Sequence, residues 1–175
     1  MSKTSIGSYF TNFKSLAKGG LGYLAYISIM PPSLSAFIHK KRGVKIDDYK
    51  SVYIAANVLI DTNFPEEITI GNDVYITRGA KIIAHTSYTP PVQRIVKREY
   101  TLGKVIIEDG AYIGVNAVVL PSVCIGKCVI IGAGAVVTKD VPAYAIAVGV
   151  PARIVGDVRE LDIDAALTPE RPADT

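Results

Sequence analysis

Histidine and cysteine, which supply most metal and redox sites, are scarce in this chain. Its 175 residues include two histidines and two cysteines. Cys124 and Cys128 have no histidine near them in the sequence, and such a pair is a poor set of metal ligands. We therefore expect no metal site, and we expect a reduced protein in the cytoplasm.

Long apolar runs and dense basic blocks are also missing. The apolar stretch at residues 21–30 has ten residues and is too short to span a bilayer. A secretory signal would need a basic region at the very start and a small-residue cleavage site, and neither is present. Because the net charge is only +3 and no basic block occurs, we expect no nucleic-acid partner.

A six-residue period is the strongest positive feature of the sequence. Each hexad opens on an aliphatic residue and carries a small or β-branched residue fifth. The clearest hexads open at Ile107, Ile113, Val119, Ile125, Ile131 and Val137. This period predicts a mainly β protein, a parallel β-helix in which three hexads form one coil of about 18 residues. A sandwich of short strands is the alternative, but it predicts variable spacing between strands.

The same phase continues upstream, through Ile70, Ile76 and Ile82 and more weakly back to Ile46, so we expect about five coils. We assign residues 44–156 to the β-helix domain. Residues 1–43 are predicted to form a helical segment, for which weak association with a membrane surface is the less favoured alternative. Residues 157–175 are predicted to be a polar tail, partly disordered.

One interruption breaks the hexads. Residues 86–102 are polar, aromatic and basic, and they carry Arg94, Lys97 and Arg98, which suit anions. A β-helix accommodates such an insertion only as a protruding loop at a corner, and long loops are commonly functional. The insertion begins directly after His85.

Four stretches resemble one known family. They are DTNFPEEITIG at 61–71, IIAH at 82–85, IGAGAVVTKDVP at 131–142 and GVPAR at 149–153. The chain from about residue 44 to 155 is similar to the hexapeptide-repeat acyltransferases, which are left-handed β-helices. It most resembles the maltose and galactoside O-acetyltransferase-like branch, which includes polysaccharide O-acetyltransferases. The resemblance implies a homotrimer with active sites between neighbouring copies. It also implies transfer of acetyl from acetyl-CoA to a hydroxyl of a saccharide.

His85 is the predicted general base of that reaction. A hydroxyl is a poor nucleophile at neutral pH, so a base must take its proton, and histidine suits this role. Related polysaccharide enzymes often have Asp directly after this histidine, whereas Thr86 follows here. A carboxylate or backbone carbonyl from elsewhere must therefore fix the His85 tautomer. A plain surface role for His85 is the alternative, and His39 is interpreted as a surface residue.

The resemblance assigns further positions. The backbone N–H of Val115 is expected to stabilise the oxyanion. Asp61, Tyr112 and Glu67 are expected to bind the acceptor, although Asp61 could be an ordinary corner residue and Tyr112 an ordinary outward one. The residues expected to bind coenzyme A are Ala133, Thr138, Lys139 and Arg153, and Arg153 could instead be a solvated surface residue.

Three other functions compete with this reading. N-acylation of an amino-sugar nucleotide can use the same fold, and so can a non-catalytic scaffold. A γ-type carbonic anhydrase needs three histidines at its zinc site, which this chain cannot supply. The outward tyrosines Tyr53, Tyr75 and Tyr112 suggest lateral contacts in a trimer. Neither the acceptor nor the acyl length can be deduced from the sequence.

Overall fold

The computed structural model describes residues 31–161 together with Gly20, Leu21 and Tyr23. The predicted N-terminal helical segment lies mostly outside the described residues, as does the predicted disordered end of the tail. Within the described part of the chain, no helix has the length and apolarity needed to cross a bilayer.

Short strands form nearly the whole domain. They are β1 (Lys45–Ile46), β2 (Tyr53–Ile54), β3 (Leu59–Ile60), β4 (Ile68–Ile70), β5 (Tyr75–Ile76), β6 (Lys81–Ile82), β7 (His85–Ser87), β8 (Tyr100–Leu102), β9 (Val105–Ile107), β10 (Tyr112–Ile113), β11 (Val118–Val119), β12 (Cys124–Ile125), β13 (Ile130–Ile131), β14 (Val136–Val137), β15 (Ala145–Val148) and β16 (Arg153–Asp157). Residues 31–161 contain two α-helices, α1 (Pro32–Arg42) and α2 (Pro90–Val96), and two 3-10 turns, Pro65–Glu67 and Val158–Glu160.

Three parallel sheets form the sides of a triangular prism. Sheet 1 has the order β1-β4-β9-β12, sheet 2 contains β2, β5, β10, β13 and β15, and sheet 3 has the order β14-β11-β6-β3. Successive strands of the chain belong to sheets 1, 2 and 3 in turn, and each set of three strands forms one coil. Strand β16 adds to sheet 2 as an antiparallel edge after β15. The predicted mainly β, left-handed parallel β-helix of about five coils is confirmed, the fifth coil being partial.

The hexad-opening aliphatic residues stack along the prism axis and form its core. In sheet 2, Ile54 pairs with Ile76, Ile76 with Ile113, and Ile113 with Ile131. All four are 1% exposed or less. Each such burial contributes about 1.5–3 kcal/mol before the entropy cost of ordering, so the repeated aliphatic position is what holds the coils in register.

The corners between the sheets require small residues. Gly114 shows this most clearly, because an added Cβ would lie 2.5 Å from the carbonyl oxygen of Ile131 in the next coil. Other corners turn through positive φ, as at Asn116 (57°) and Gly134 (68°), which asparagine and glycine adopt most readily.

Helix α1 packs at the N-terminal end of the prism, against β1, β2 and the turn Pro65–Glu67. It ends at Gly43, whose φ of 117° is left-handed and closes the helix. The insertion at 86–102, expected as a protruding loop, has structure of its own. Strands β7 and β8 pair as an antiparallel ribbon that carries α2.

Candidate active site

Asp61 and His85 lie on successive coils at the same edge of the prism. We call this the His85 edge; it joins sheet 3 to sheet 1 and comprises residues 61–67, 83–104, 120–123 and 138–140. Ile60 of coil 1 pairs with Ile82 of coil 2, so the residues that follow these two strands stack. The coil repeat thereby places Asp61 beside a histidine 24 positions later.

The Asp61 carboxylate is buried, and both of its oxygens accept hydrogen bonds. Asp61 is 2% exposed. Its Oδ2 accepts a hydrogen bond from the backbone N–H of Ala84 at 2.9 Å and lies 2.5 Å from His85 Nδ1. Its Oδ1 accepts from the N–H groups of Asn63 at 3.0 Å and Phe64 at 3.1 Å.

These contacts decide the charge of Asp61. Burial alone would raise the pKa of Asp61, but the hydrogen bonds from His85 and from the backbone N–H groups of Ala84, Phe64 and Asn63 outweigh it, and the pKa of the carboxyl falls below its usual range. Asp61 is therefore an ionised carboxylate at neutral pH and can only accept hydrogen bonds.

An ionised Asp61 fixes the tautomer of His85. Because Oδ2 can only accept, His85 Nδ1 must carry a proton, and in the neutral imidazole Nε2 then presents a lone pair. The amide Nδ2 of Asn63 lies 3.5 Å from Nε2, which is too long for a strong bond. The His85 side chain is 18% exposed. The ring is thus held from its buried side, and its basic nitrogen is free to accept a proton.

One aromatic ring packs against the imidazole, and a second packs against the first. Phe64 meets His85 edge-on, with ring centroids 5.2 Å apart, and Tyr100 of the ribbon meets Phe64 at 5.1 Å. These contacts add packing to the hydrogen bonds that orient His85. They also give the His85 edge an apolar wall beside a basic nitrogen.

Two residues lie in surroundings that the sequence did not indicate. Asp61 was expected to bind the acceptor; its carboxylate is buried, both of its oxygens accept hydrogen bonds, and Oδ2 contacts His85. His39 was interpreted as a surface residue and is 1% exposed. Burial, helped by the charge of Arg42, lowers the pKa of His39 to about 3, so His39 is neutral at physiological pH.

The remaining predicted site residues are dispersed within one copy. Val115 and Ala133 lie on a second edge, which joins sheet 2 to sheet 3, and both are exposed. We call it the Val115 edge, comprising residues 55–58, 77–80, 114–117 and 132–135. Tyr112 lies on the outer face of sheet 2 and is 40% exposed. One chain does not bring these residues to His85.

The other predicted residues lie elsewhere. Thr138 and Lys139 are exposed on the His85 edge, two coils beyond His85, about 10 Å along the axis at the usual strand spacing. Arg153 is exposed at the start of β16, and Glu67 is half-buried in the 3-10 turn. Within the described ranges, no group of three or more potential ligand side chains could hold a metal ion.

Three residues near His85 were not predicted from the sequence, namely Asn63, Phe64 and Tyr100. The first two could have been found, because they lie two and three residues after Asp61 and the hexad phase aligns Ile60 with Ile82. Tyr100 could not be placed without knowing that residues 85–102 fold back as a paired ribbon.

Known proteins share both the repeat and the fold. The family model "Bacterial transferase hexapeptide (six repeats)" matches residues 104–139. A Bacillus subtilis (strain 168) protein named "Putative acetyltransferase YvoF" is 37% identical over 139 residues, which covers 79% of this chain and 73% of that protein.

Two solved structures have a similar fold. The hexapeptide-repeat acetyltransferase VCA0836 of Vibrio cholerae O1 biovar eltor, in complex with acetyl coenzyme A, has a TM-score of 0.61 at 21% identity, covering 89% of this chain and 90% of that one. A maltose O-acetyltransferase from Clostridium difficile 630 has a TM-score of 0.58 at 22% identity, covering 82% and 86%. At these identities the likeness is one of fold.

Proposed function

The chain belongs to the bacterial hexapeptide-repeat transferase family, and from that premise we propose that it is a cytoplasmic, acetyl-CoA-dependent O-acetyltransferase. Its acceptor would be a hydroxyl of a saccharide, either an oligosaccharide or a polysaccharide precursor. The observation that carries this proposal is the buried Asp61 carboxylate 2.5 Å from His85 Nδ1. That contact supports a role for His85 Nε2 as a base held in a fixed orientation at the surface of the prism.

The proposed reaction uses His85 twice. Nε2 takes the proton of the acceptor hydroxyl as its oxygen attacks the thioester carbonyl carbon, and the ionised Asp61 stabilises the imidazolium that forms. The tetrahedral intermediate carries an oxyanion, for which the Val115 N–H is the proposed donor. When the C–S bond breaks, the imidazolium returns its proton to the sulfur of coenzyme A. The products are the O-acetyl ester and free coenzyme A.

The donor would lie along the Val115 edge and the C-terminal coils. Ala133 is exposed and small, which leaves room for the extended pantetheine chain beside the backbone. Arg153 is the proposed partner of the 3′-phosphate, because a guanidinium pairs well with phosphate oxygens. Thr138 and Lys139 would lie near the nucleotide.

The acceptor would lie against the His85 edge. The Phe64 and Tyr100 rings beside His85 could stack on the apolar face of a sugar ring. The amide of Asn63 is placed to bind a sugar hydroxyl near Nε2. Tyr112 and Glu67 remain proposed acceptor contacts, with Tyr112 contributed by another copy.

An acceptor screen tests the proposal. The purified chain is incubated with acetyl-CoA and, separately, with neutral oligosaccharides, amino sugars and amino-sugar nucleotides, and release of the coenzyme A thiol is followed. We expect thiol release with a neutral saccharide and an alkali-labile ester in the product. An alkali-stable amide on an amino sugar would support N-acylation instead, and no acyl transfer to any acceptor would favour a scaffold.

The positions of the two edges lead us to propose a homotrimer. His85 lies on one edge and Val115 and Ala133 on another, so one copy would supply the base and its neighbour the donor site. The outward tyrosines of sheet 2 offer a contact surface, with Tyr53 and Tyr75 stacked at 5.1 Å.

Mixed oligomers test this shared site. His85→Ala lacks the base, and Ala133→Trp fills the proposed pantetheine path, so each should be inactive alone. Co-expressed in equal amounts, the two variants should regain about a quarter of the parental rate, since random assembly pairs an intact base with an intact donor site at that frequency. The control is the same two proteins purified separately and assayed together without exchange. Co-expressed oligomers no more active than that control would refute the shared site.

A further inference from the structure

Arg42 is a buried cation directly behind the Asp61–His85 pair. It is the last residue of α1 and is 2% exposed. Burial lowers the pKa of Arg42 and the charge of Asp61 opposes that shift, and an arginine in a protein stays protonated. Burying a guanidinium destabilises the fold unless its N–H groups are hydrogen-bonded. The hydrogen-bond partners of Arg42 therefore indicate its role.

Those partners are carbonyl oxygens of the chain at Asp61. Arg42 Nη2 donates to the carbonyl oxygen of Asp61 at 2.7 Å, and Nη1 donates to that of Ile60 at 3.2 Å. Nη1 also donates to His39 Nδ1 at 2.9 Å. His39 is neutral and accepts this bond, so it helps to hold the guanidinium rather than repelling it.

The backbone N–H, the carbonyl and the carboxylate of Asp61 all make hydrogen bonds. Its N–H donates to the carbonyl oxygen of Ile82 at 2.9 Å, its carbonyl accepts from Arg42, and its carboxylate binds Ala84 and His85 on one oxygen. Strand β3 ends at Ile60, and Arg42 restrains the carbonyl of Asp61 at the point where the chain leaves sheet 3. A rotation of this peptide would carry Oδ2 away from His85 Nδ1.

We propose that Arg42 is a positioning residue for acetyl transfer, whose guanidinium fork holds the Ile60–Asp61 backbone so that the Asp61 carboxylate keeps His85 oriented. The inference rests on the proposed role of His85 as the base. It connects helix α1, which carries both Arg42 and His39, to the geometry of the reacting imidazole.

Arg42→Met removes the fork and Arg42→Lys retains a charge with a single donor centre. We expect Arg42→Met to lower kcat by about 10²-fold, the scale of a small displacement of a reacting group, with KM for acetyl-CoA unchanged. Arg42→Lys should recover part of that loss. Ser35→Ala is the matched control, since Ser35 is buried on the same helix and its Oγ has no hydrogen-bond partner among the described residues. It should keep the parental kcat.

A second readout does not depend on acetyl transfer. The Nδ1 proton of His85, shared with Asp61, should give a low-field proton NMR signal that is present in the parent and in Ser35→Ala, weaker in Arg42→Lys and absent in Arg42→Met. If Arg42→Met does not fold, the kcat and the Nδ1 proton signal of Arg42→Lys test the inference instead. A parental rate in the Arg42 variants, or a reduced rate with the Nδ1 signal intact, would overturn the inference. Full activity in His85→Ala would instead remove the proposed function, and the NMR comparison would still test the role of Arg42.

Discussion

His85→Ala should lower kcat for acetyl transfer by about 10²–10⁴-fold, the usual contribution of a positioned general base. The acceptor hydroxyl would then have to lose its proton to water as it attacks. Binding of acetyl-CoA should not change, because the proposed donor contacts lie on the Val115 edge, at Arg153, and at Thr138 and Lys139 two coils beyond His85. Initial rates at saturating acetyl-CoA measure the first effect, and calorimetric titration of coenzyme A measures the second.

Two further variants make this result specific. Thr86→Ala alters the exposed neighbour of His85 in the same strand and should leave kcat unchanged. Asp61→Asn keeps a side chain of the same shape, but its amide no longer selects the Nδ1–H tautomer, so kcat should fall by about 10²-fold or more. Equal rates for His85→Ala and the parent would exclude His85 from the mechanism.

Acid should destabilise the protein through His39. The pKa of His39 is about 3 in the folded chain, against an ordinary value of 6.5. Between pH 6.5 and pH 3, His39 is protonated in the unfolded chain but not in the folded chain. The free energy of unfolding therefore falls as the pH falls from 6.5 towards 3. Between pH 7 and pH 4 this one group should remove about 3 kcal/mol of stability, at 1.36 kcal/mol per pKa unit.

His39→Gln isolates that contribution. The glutamine amide oxygen can still accept a hydrogen bond from Arg42, but the side chain does not titrate. Urea unfolding at pH 7 and pH 4, at one protein concentration, should show the parent losing about 3 kcal/mol more stability than the variant. Equal losses in the two proteins would mean that His39 does not carry the acid sensitivity.

The fold was predictable because its signal repeats. Every coil needs an inward aliphatic residue at the same place, and Ile113, Val119 and Ile125 show this in sequence and in burial alike. A period repeated six times cannot be mistaken for a chance pattern. His85 was singled out for a similar reason, because the repeats stop directly after it.

The partners of His85 were harder to predict because they depend on contacts between coils and with a helix. Asp61 was singled out, but its contact with His85 was not predicted, since only the stacking of Ile60 on Ile82 shows that its carboxylate reaches the imidazole. Arg42 lies outside the repeats, and His39 stands beside three basic residues that suggest a surface. Their burial follows from how α1 packs on the end of the prism, which no local pattern encodes.

The tautomer of His85 tests the central claim most directly. With two histidines in the chain, ¹⁵N-histidine labelling gives two imidazole spin systems, and His39→Gln identifies the one from His85. At pH 8 the account predicts that His85 is protonated on Nδ1 and unprotonated on Nε2, and that this preference is lost in Asp61→Asn. A proton on Nε2 in the parent would leave no lone pair to accept the hydroxyl proton and would contradict the mechanism.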